Sequence, residues 1–242
     1  MIRLLVSPQS ISEAYEVIKG KGDIIDIKRP TEGSLGANFP WVIREIKKIA
    51  PKHTEISATL GDLPNLPGTA SLAALGLAHC GVDYIKAGIK GPKTKEDAIF
   101  LMKQIHHAVR DLNAEIKIVA AGYADAERFG GISPLLIPEI AAAADSNIAM
   151  LDTAIKDGKR LFDYLQTPQL TQFVELTHDY GLQAALAGSI EKDDLISLIK
   201  IKPDIIGVRG AVCEQSDRVN GRIRSDLVQE FVQILKTNSS SK

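Results

Sequence analysis

What most limits the folds open to this chain is a regular alternation of short β-rich runs with segments of helical apolar spacing. The runs cover residues 2–6, 23–28, 55–60, 83–89, 115–121, 148–155, 183–187 and 204–209. Helical spacing recurs between them, over 39–49, 68–78, 95–109, 134–144, 161–178 and 193–199, with a closing helix over 225–235. Strand-then-helix order calls for parallel strands, because parallel neighbours need a long return connection. Eight such units of roughly 30 residues fill a chain of 242 residues as a single (β/α)8 barrel, an α/β TIM barrel spanning residues 1–236. A doubly wound open sheet uses the same local units, but no GxGxxG follows the first run.

Local chemistry agrees with these boundaries. Ser10 stands three before Glu13 and Thr94 three before Asp97, spacings that cap helix starts, while Gly20, Gly81 and Gly181 mark stops. Residues 237–242 read as a polar, frayed tail. With 45% apolar residues, and 29 basic against 30 acidic side chains, the chain is expected to be globular and carries no basic excess for nucleic acid. The first residues hold too short an apolar run for a signal peptide, and no stretch reaches the ~18 apolar residues of a spanning helix, so no membrane partner and a cytoplasmic location are expected. Cys80 and Cys213 lie far apart without a CxxC or Cys/His cluster; free thiols and no metal site are expected.

Buried parallel strands should be apolar throughout, so ionisable residues near their C-terminal ends need a reason. Alternation places Asp26 and Lys28 on one face of the second run, opposite Ile25 and Ile27. Lys86 interrupts the apolar fourth run, Asp152 ends the sixth, and Lys156 follows on its loop. The set is two carboxylates and three amines. A desolvated lysine crowded by cations loses its proton and can attack a carbonyl, with carboxylates nearby moving protons at the adjacent carbon. The same residues also fit a buried ion-pair network, and a loop lysine such as Lys156 is ordinarily solvated.

Phosphate sites are expected where glycine lets an anion approach free amides: Gly188 and Ser189 after the seventh run, Arg209 and Gly210 after the eighth. A third candidate is the nest containing Ser34 and Gly36, although ordinary turn chemistry explains it equally. Tyr123 or Asp125 is placed to touch substrate or to cap a turn. His106 and His107 read as surface or packing residues, and Trp41 as core.

The segments over residues 26–37, 86–88, 121–125 and 151–158 together resemble the (5-formylfuran-3-yl)methyl phosphate synthases, or 4-HFC-P synthases, over nearly the whole chain. The run 26–37 is the most distinctive, with Arg29 in a position more often held by a smaller polar residue. The resemblance implies a TIM barrel that joins two glyceraldehyde 3-phosphate molecules, with loss of phosphate and water, to a furan aldehyde phosphate for methanofuran synthesis. It implies that Lys28 is the Schiff-base lysine beside Asp26, and that Lys86, Asp152 and Lys156 handle proton transfer and phosphate elimination. No metal or cofactor is implied, the partners are phosphorylated trioses, and assembly into a homo-oligomer is expected. Another Schiff-base sugar-phosphate aldolase, or a non-catalytic phosphosugar-binding barrel, would use the same residue types.

Overall fold

In the computed structural model, which describes residues 1–239, eight parallel strands close into a barrel in chain order. They are β1 (Arg3–Val6), β2 (Ile24–Ile27), β3 (Glu55–Leu63), β4 (Tyr84–Ile89), β5 (Lys117–Tyr123), β6 (Ile148–Asp152), β7 (Gln183–Leu186) and β8 (Ile205–Val208). Outside them lie α1 (Ile11–Gly20), α2 (Pro40–Ile49), α3 (Pro67–Ala78), α4 (Lys95–Arg110), α5 (Ile137–Ala143), α6 (Leu161–Tyr164), α7 (Thr167–Asp179), α8 (Leu195–Ile201) and α9 (Ser225–Ser239). The ring closes where β1 pairs with β8, Leu4 opposite Ile206. The expected single TIM barrel is the fold.

Period-two alternation divides each strand between two cores. Ile25, Ile27, Ile85 and Ala87 face outward and pack with helix residues such as Val17, Ile43, Leu101 and Phe173. Ile24, Tyr84, Val119, Ile148, Met150 and Ile205 face inward and fill the barrel. The N-terminal end of the barrel is plugged by charge. Arg3 donates to Glu55, to the Tyr84 hydroxyl at 2.9 Å and to Gln183 at 3.1 Å, and Lys117 joins Glu55 and Tyr84. Solvent is thereby left one end to enter.

The expected caps form: the Glu13 amide donates to Ser10 and the Asp97 amide to Thr94. Three boundaries and the placing of Trp41 differ from expectation. The helix expected over 161–178 is two, because Pro168 has no N–H to give and its ring would clash with the preceding turn. β6 stops at Asp152, where the chain turns into the loop that holds Lys156. Trp41 is not core: it is 59% exposed and stacks on Phe39. α9 runs on to Ser239, into the segment expected to be a tail, and residues 240–242 of that segment lie outside the described residues. Cys80 and Cys213 are buried free thiols, and among the described residues no helix is long and apolar enough to cross a membrane.

Helix-to-strand packing is tight at Gly122, where an added Cβ would lie 2.3 Å from Ile137 Cγ1, whereas Gly76 has open space. Gly122→Ala should therefore cost about 1–3 kcal/mol, lowering the melting temperature by several degrees. Gly76→Ala should instead stabilise α3 by about 0.5–1 kcal/mol. Thermal unfolding of both variants checks this, and equal effects at the two sites would contradict it.

Candidate active site

The C-terminal ends of the strands surround a cavity of about 330 Å³, walled by Lys28, Lys86, Asp152 and Lys156 and by the loops after β7 and β8. Its charged floor follows from strand alternation. Asp26 and Lys86 occupy inward positions where Ile24 and Tyr84, one turn of the pleat earlier, fill the barrel.

Asp26 is fully buried and fully bonded. Its Oδ2 accepts from Lys86 Nζ at 2.6 Å and from Ser7 Oγ at 2.9 Å, and its Oδ1 from Ser57 Oγ at 2.7 Å. Burial alone would raise the Asp26 carboxyl, but the Lys86 and Lys28 charges and these hydrogen bonds outweigh it and hold the group below the usual carboxylate range. Asp152 makes the second pair: its Oδ1 accepts from Lys156 Nζ and from the Thr153 amide, both at 2.7 Å. There too burial opposes ionisation, and Lys156 and Lys28 overcome it, leaving a carboxylate well below its ordinary range. Lys156, a loop residue, is thus drawn into the site, with a further bond to Thr153 Oγ1 at 2.8 Å.

Three amines meet two carboxylates, and both carboxylates are taken. Lys28, only 6% exposed, forms no hydrogen bond or ion pair through its amine among the described residues. Burial lowers its proton affinity most, and Lys86 and Lys156 add repulsion. Asp152 and Asp26 counter this only in part, and the amine titrates at about 7 instead of 10.5. Such a group supplies a large fraction of neutral, nucleophilic amine near pH 7, where an ordinary lysine supplies almost none.

Loops at the rim hold this constellation. The amide nest expected for phosphate is occupied from within. The Ser34 and Leu35 amides donate to the Asp62 carboxylate at 3.0 and 3.3 Å, and the Tyr123 hydroxyl donates to it as well. Burial and the Asp62 charge push the Tyr123 phenol well above its ordinary value. Ser34 Oγ donates to the Thr153 carbonyl at 2.7 Å, and the Gly36 carbonyl accepts from Thr59. Neither Ser34 nor Gly36 is brought to the cavity; both tie the loop after β2 to its neighbours. Gly88 is where the Tyr123 hydroxyl passes, since a Cβ there would overlap it. Asp125 accepts from the Ala154 and Ile155 amides at 2.7 and 2.8 Å, fixing the loop that carries Lys156.

Gly188, Ser189 and Gly210 do line the cavity, with Gly188 (φ 115) and Ser189 (φ 53) both left-handed. Arg209 borders it too, but its guanidinium is committed to Glu13 at 2.8 Å and to backbone carbonyls, so it is not a free phosphate ligand. Sequence reasoning missed Asp62 and Arg218. Arg218 lines the cavity from the loop after β8, a position at the strands' C-terminal end that would have drawn notice had the loop been followed past Gly210. Among the described residues no group of three or more His, Cys, Asp or Glu is arranged to hold a metal ion.

A lysine whose charged form is disfavoured by folding destabilises most below its folded-state pKa, and the penalty fades as pH rises towards the unfolded value. Lys28→Met should therefore raise the unfolding free energy by on the order of 1 kcal/mol or more below pH 7, with the gain shrinking by pH 10. Melting curves across that range check this, and a destabilised variant at pH 6 would contradict it.

Comparison with known proteins identifies the family. The family described as 4-HFC-P synthase matches residues 4–232. A Methanocaldococcus jannaschii protein named (5-formylfuran-3-yl)methyl phosphate synthase is 53% identical over 233 residues, 96% of this chain and 99% of that one. A Methanopyrus kandleri protein of the same name is 51% identical over 96% of this chain and 98% of its own. Among solved structures, phosphoribosyl anthranilate isomerase from Thermus thermophilus superposes with a TM-score of 0.65 at 13% identity, over 98% of this chain and 99% of that one, a likeness of fold alone. The chain belongs to the 4-HFC-P synthase family.

Proposed function

We propose that this protein is a (5-formylfuran-3-yl)methyl phosphate synthase that joins two molecules of glyceraldehyde 3-phosphate through a Schiff base on Lys28, supplying methanofuran synthesis. The observation that carries the reading is the amine left over when Lys86 pairs with Asp26 and Lys156 with Asp152. The name shared by relatives of about half identity over nearly the full chain supports the overall reaction.

In this mechanism the neutral Lys28 amine adds to a triose phosphate carbonyl, and the adduct loses water to give an iminium. Its positive nitrogen acidifies the neighbouring C–H, and a carboxylate takes that proton to leave an enamine. Asp26 and Asp152 suit this step because their cationic partners keep them ionised. The enamine carbon attacks the second aldehyde, forming the new C–C bond. Overall, one phosphate and two waters leave as the furan forms and Lys28 is released. The Lys156 ammonium, fixed by Asp152 and Thr153, donates towards the departing phosphate, and Lys86 returns protons through Asp26.

Borohydride reduction in the presence of glyceraldehyde 3-phosphate, followed by peptide mass mapping, should place the adduct on Lys28. A label on Lys86 with none on Lys28 would overturn the assignment. Lys28→Arg keeps charge but cannot form an iminium, and should cut furan formation on the order of a thousandfold or more. The wild-type kcat/KM should rise with pH up to about 7 as Lys28 loses its proton, and then level. Furan absorbance and released phosphate report both.

A further inference from the structure

Most cations around the cavity are already spent. Lys86 and Lys156 are paired with carboxylates, Arg160 bonds Glu191 at 3.0 Å and Asp194 at 3.5 Å, and Arg209 is bound to Glu13. Arg218 is different. Its Nη2 is buried without a hydrogen-bond partner among the described residues, and its side chain borders the cavity together with Gly188, Ser189 and Gly210. A guanidinium N–H withdrawn from water and left unbonded is costly, and a bound oxyanion removes that cost.

The loop that delivers Arg218 is firmly built. Cys213 bridges Ile223, the Glu214 amide donates to the Arg222 carbonyl at 2.9 Å, and Asp217 accepts from the Val219 and Asn220 amides. Gln215 and Ser216 are both left-handed, at φ 54 and 56, a conformation that side chains other than glycine adopt only when held there. Arg209 Nε donates to the carbonyl of Arg218 itself at 2.6 Å, and Arg209 Nη1 to that of Ser7 at 2.6 Å, with Glu13 neutralising the charge. Arg209 and Glu13 therefore act as a brace between the loops after β1 and β8, and the cation presented to the cavity is Arg218.

We propose that Arg218 binds the phosphate ester that stays on the product, with Arg209 and Glu13 as positioning residues. The proposal rests on the condensation reading above. A phosphate that leaves is helped by a group able to give up a proton, the part given above to the Lys156 ammonium and one that arginine does not play. One that stays needs only to be gripped, and arginine holds an oxyanion through two parallel bonds without taking part in proton transfer.

The probe is furan-3-ylmethyl phosphate, which keeps the ester but has no carbonyl for Lys28 to attack. Arg218→Gln should weaken its binding by calorimetry roughly 10- to 100-fold, and Arg218→Lys by less. With glyceraldehyde 3-phosphate, KM should rise by a similar factor with kcat changed by less than about threefold, while borohydride trapping of unphosphorylated glyceraldehyde stays at the wild-type rate. In the wild-type protein, the probe should protect Arg218 from phenylglyoxal, as mapped by mass spectrometry, which tests the contact even if the variants fold poorly. Unchanged affinity in Arg218→Gln, or modification of Arg218 at equal rates with and without the probe, would overturn the proposal. So would a fall in kcat at unchanged KM, which would assign Arg218 to the leaving phosphate. Loss of probe binding in Arg218→Gln without any wild-type Lys28 adduct would sink the Schiff-base mechanism but keep the phosphate ligand; the converse result would do the reverse.

Discussion

Three amines share the open end of the barrel with two carboxylates, and that imbalance governs how the site is arranged. Each carboxylate takes one ammonium at hydrogen-bond distance, Asp26 with Lys86 and Asp152 with Lys156. Breaking either pair would strand a buried charge, at a cost of about 3–5 kcal/mol, so the pairs are fixed. The remaining amine, Lys28, has burial against it and no hydrogen bond or ion pair among the described residues. Fold stability is given up at this position to keep a nitrogen that can react.

The rest of the rim keeps those pairs where they are. Asp62 draws in the amides of the loop after β2 and the Tyr123 hydroxyl, and Ser34 on that loop reaches the carbonyl next to Asp152. Asp125 anchors the following loop, so Lys156 arrives with its backbone already held. On the opposite side of the ring order, Glu13 and Arg209 join the loops after β1 and β8. Carboxylates that bind protein groups thus do two kinds of work: some hold backbone, and some hold cationic side chains in place. Charge at the other end, around Arg3 and Glu55, serves only to close the barrel.

Strand order and facing were legible because alternation is a geometric property of extended chain: Asp26 and Lys28 had to share a face once Ile25 and Ile27 were assigned to the outer core. Lys86 was legible for the same reason, as a charge within an apolar strand. Lys156 was legible only through the family resemblance, since its burial comes from a loop conformation set by Asp125, twenty-nine residues away from Ala154 in sequence. Arg209 misled because its residue type and position suit phosphate, while Glu13, on a distant helix, decides where its guanidinium goes. The nest at Ser34 left an anion site and ordinary turn chemistry equally open in the sequence, and its amides are taken by the chain's own Asp62. In each case the missing information is which distant acid reaches a given donor, and only the closed barrel fixes that.

The central claim is that Lys28 alone among the site lysines is short of a counter-charge, and its own titration tests this most directly. With lysines labelled at Cε with ¹³C, the Lys28 resonance, assigned by its loss in Lys28→Arg, should move with a midpoint at about 7. A midpoint near the ordinary lysine value of about 10.4 would show that the amine has found a partner or open water, and would contradict the account.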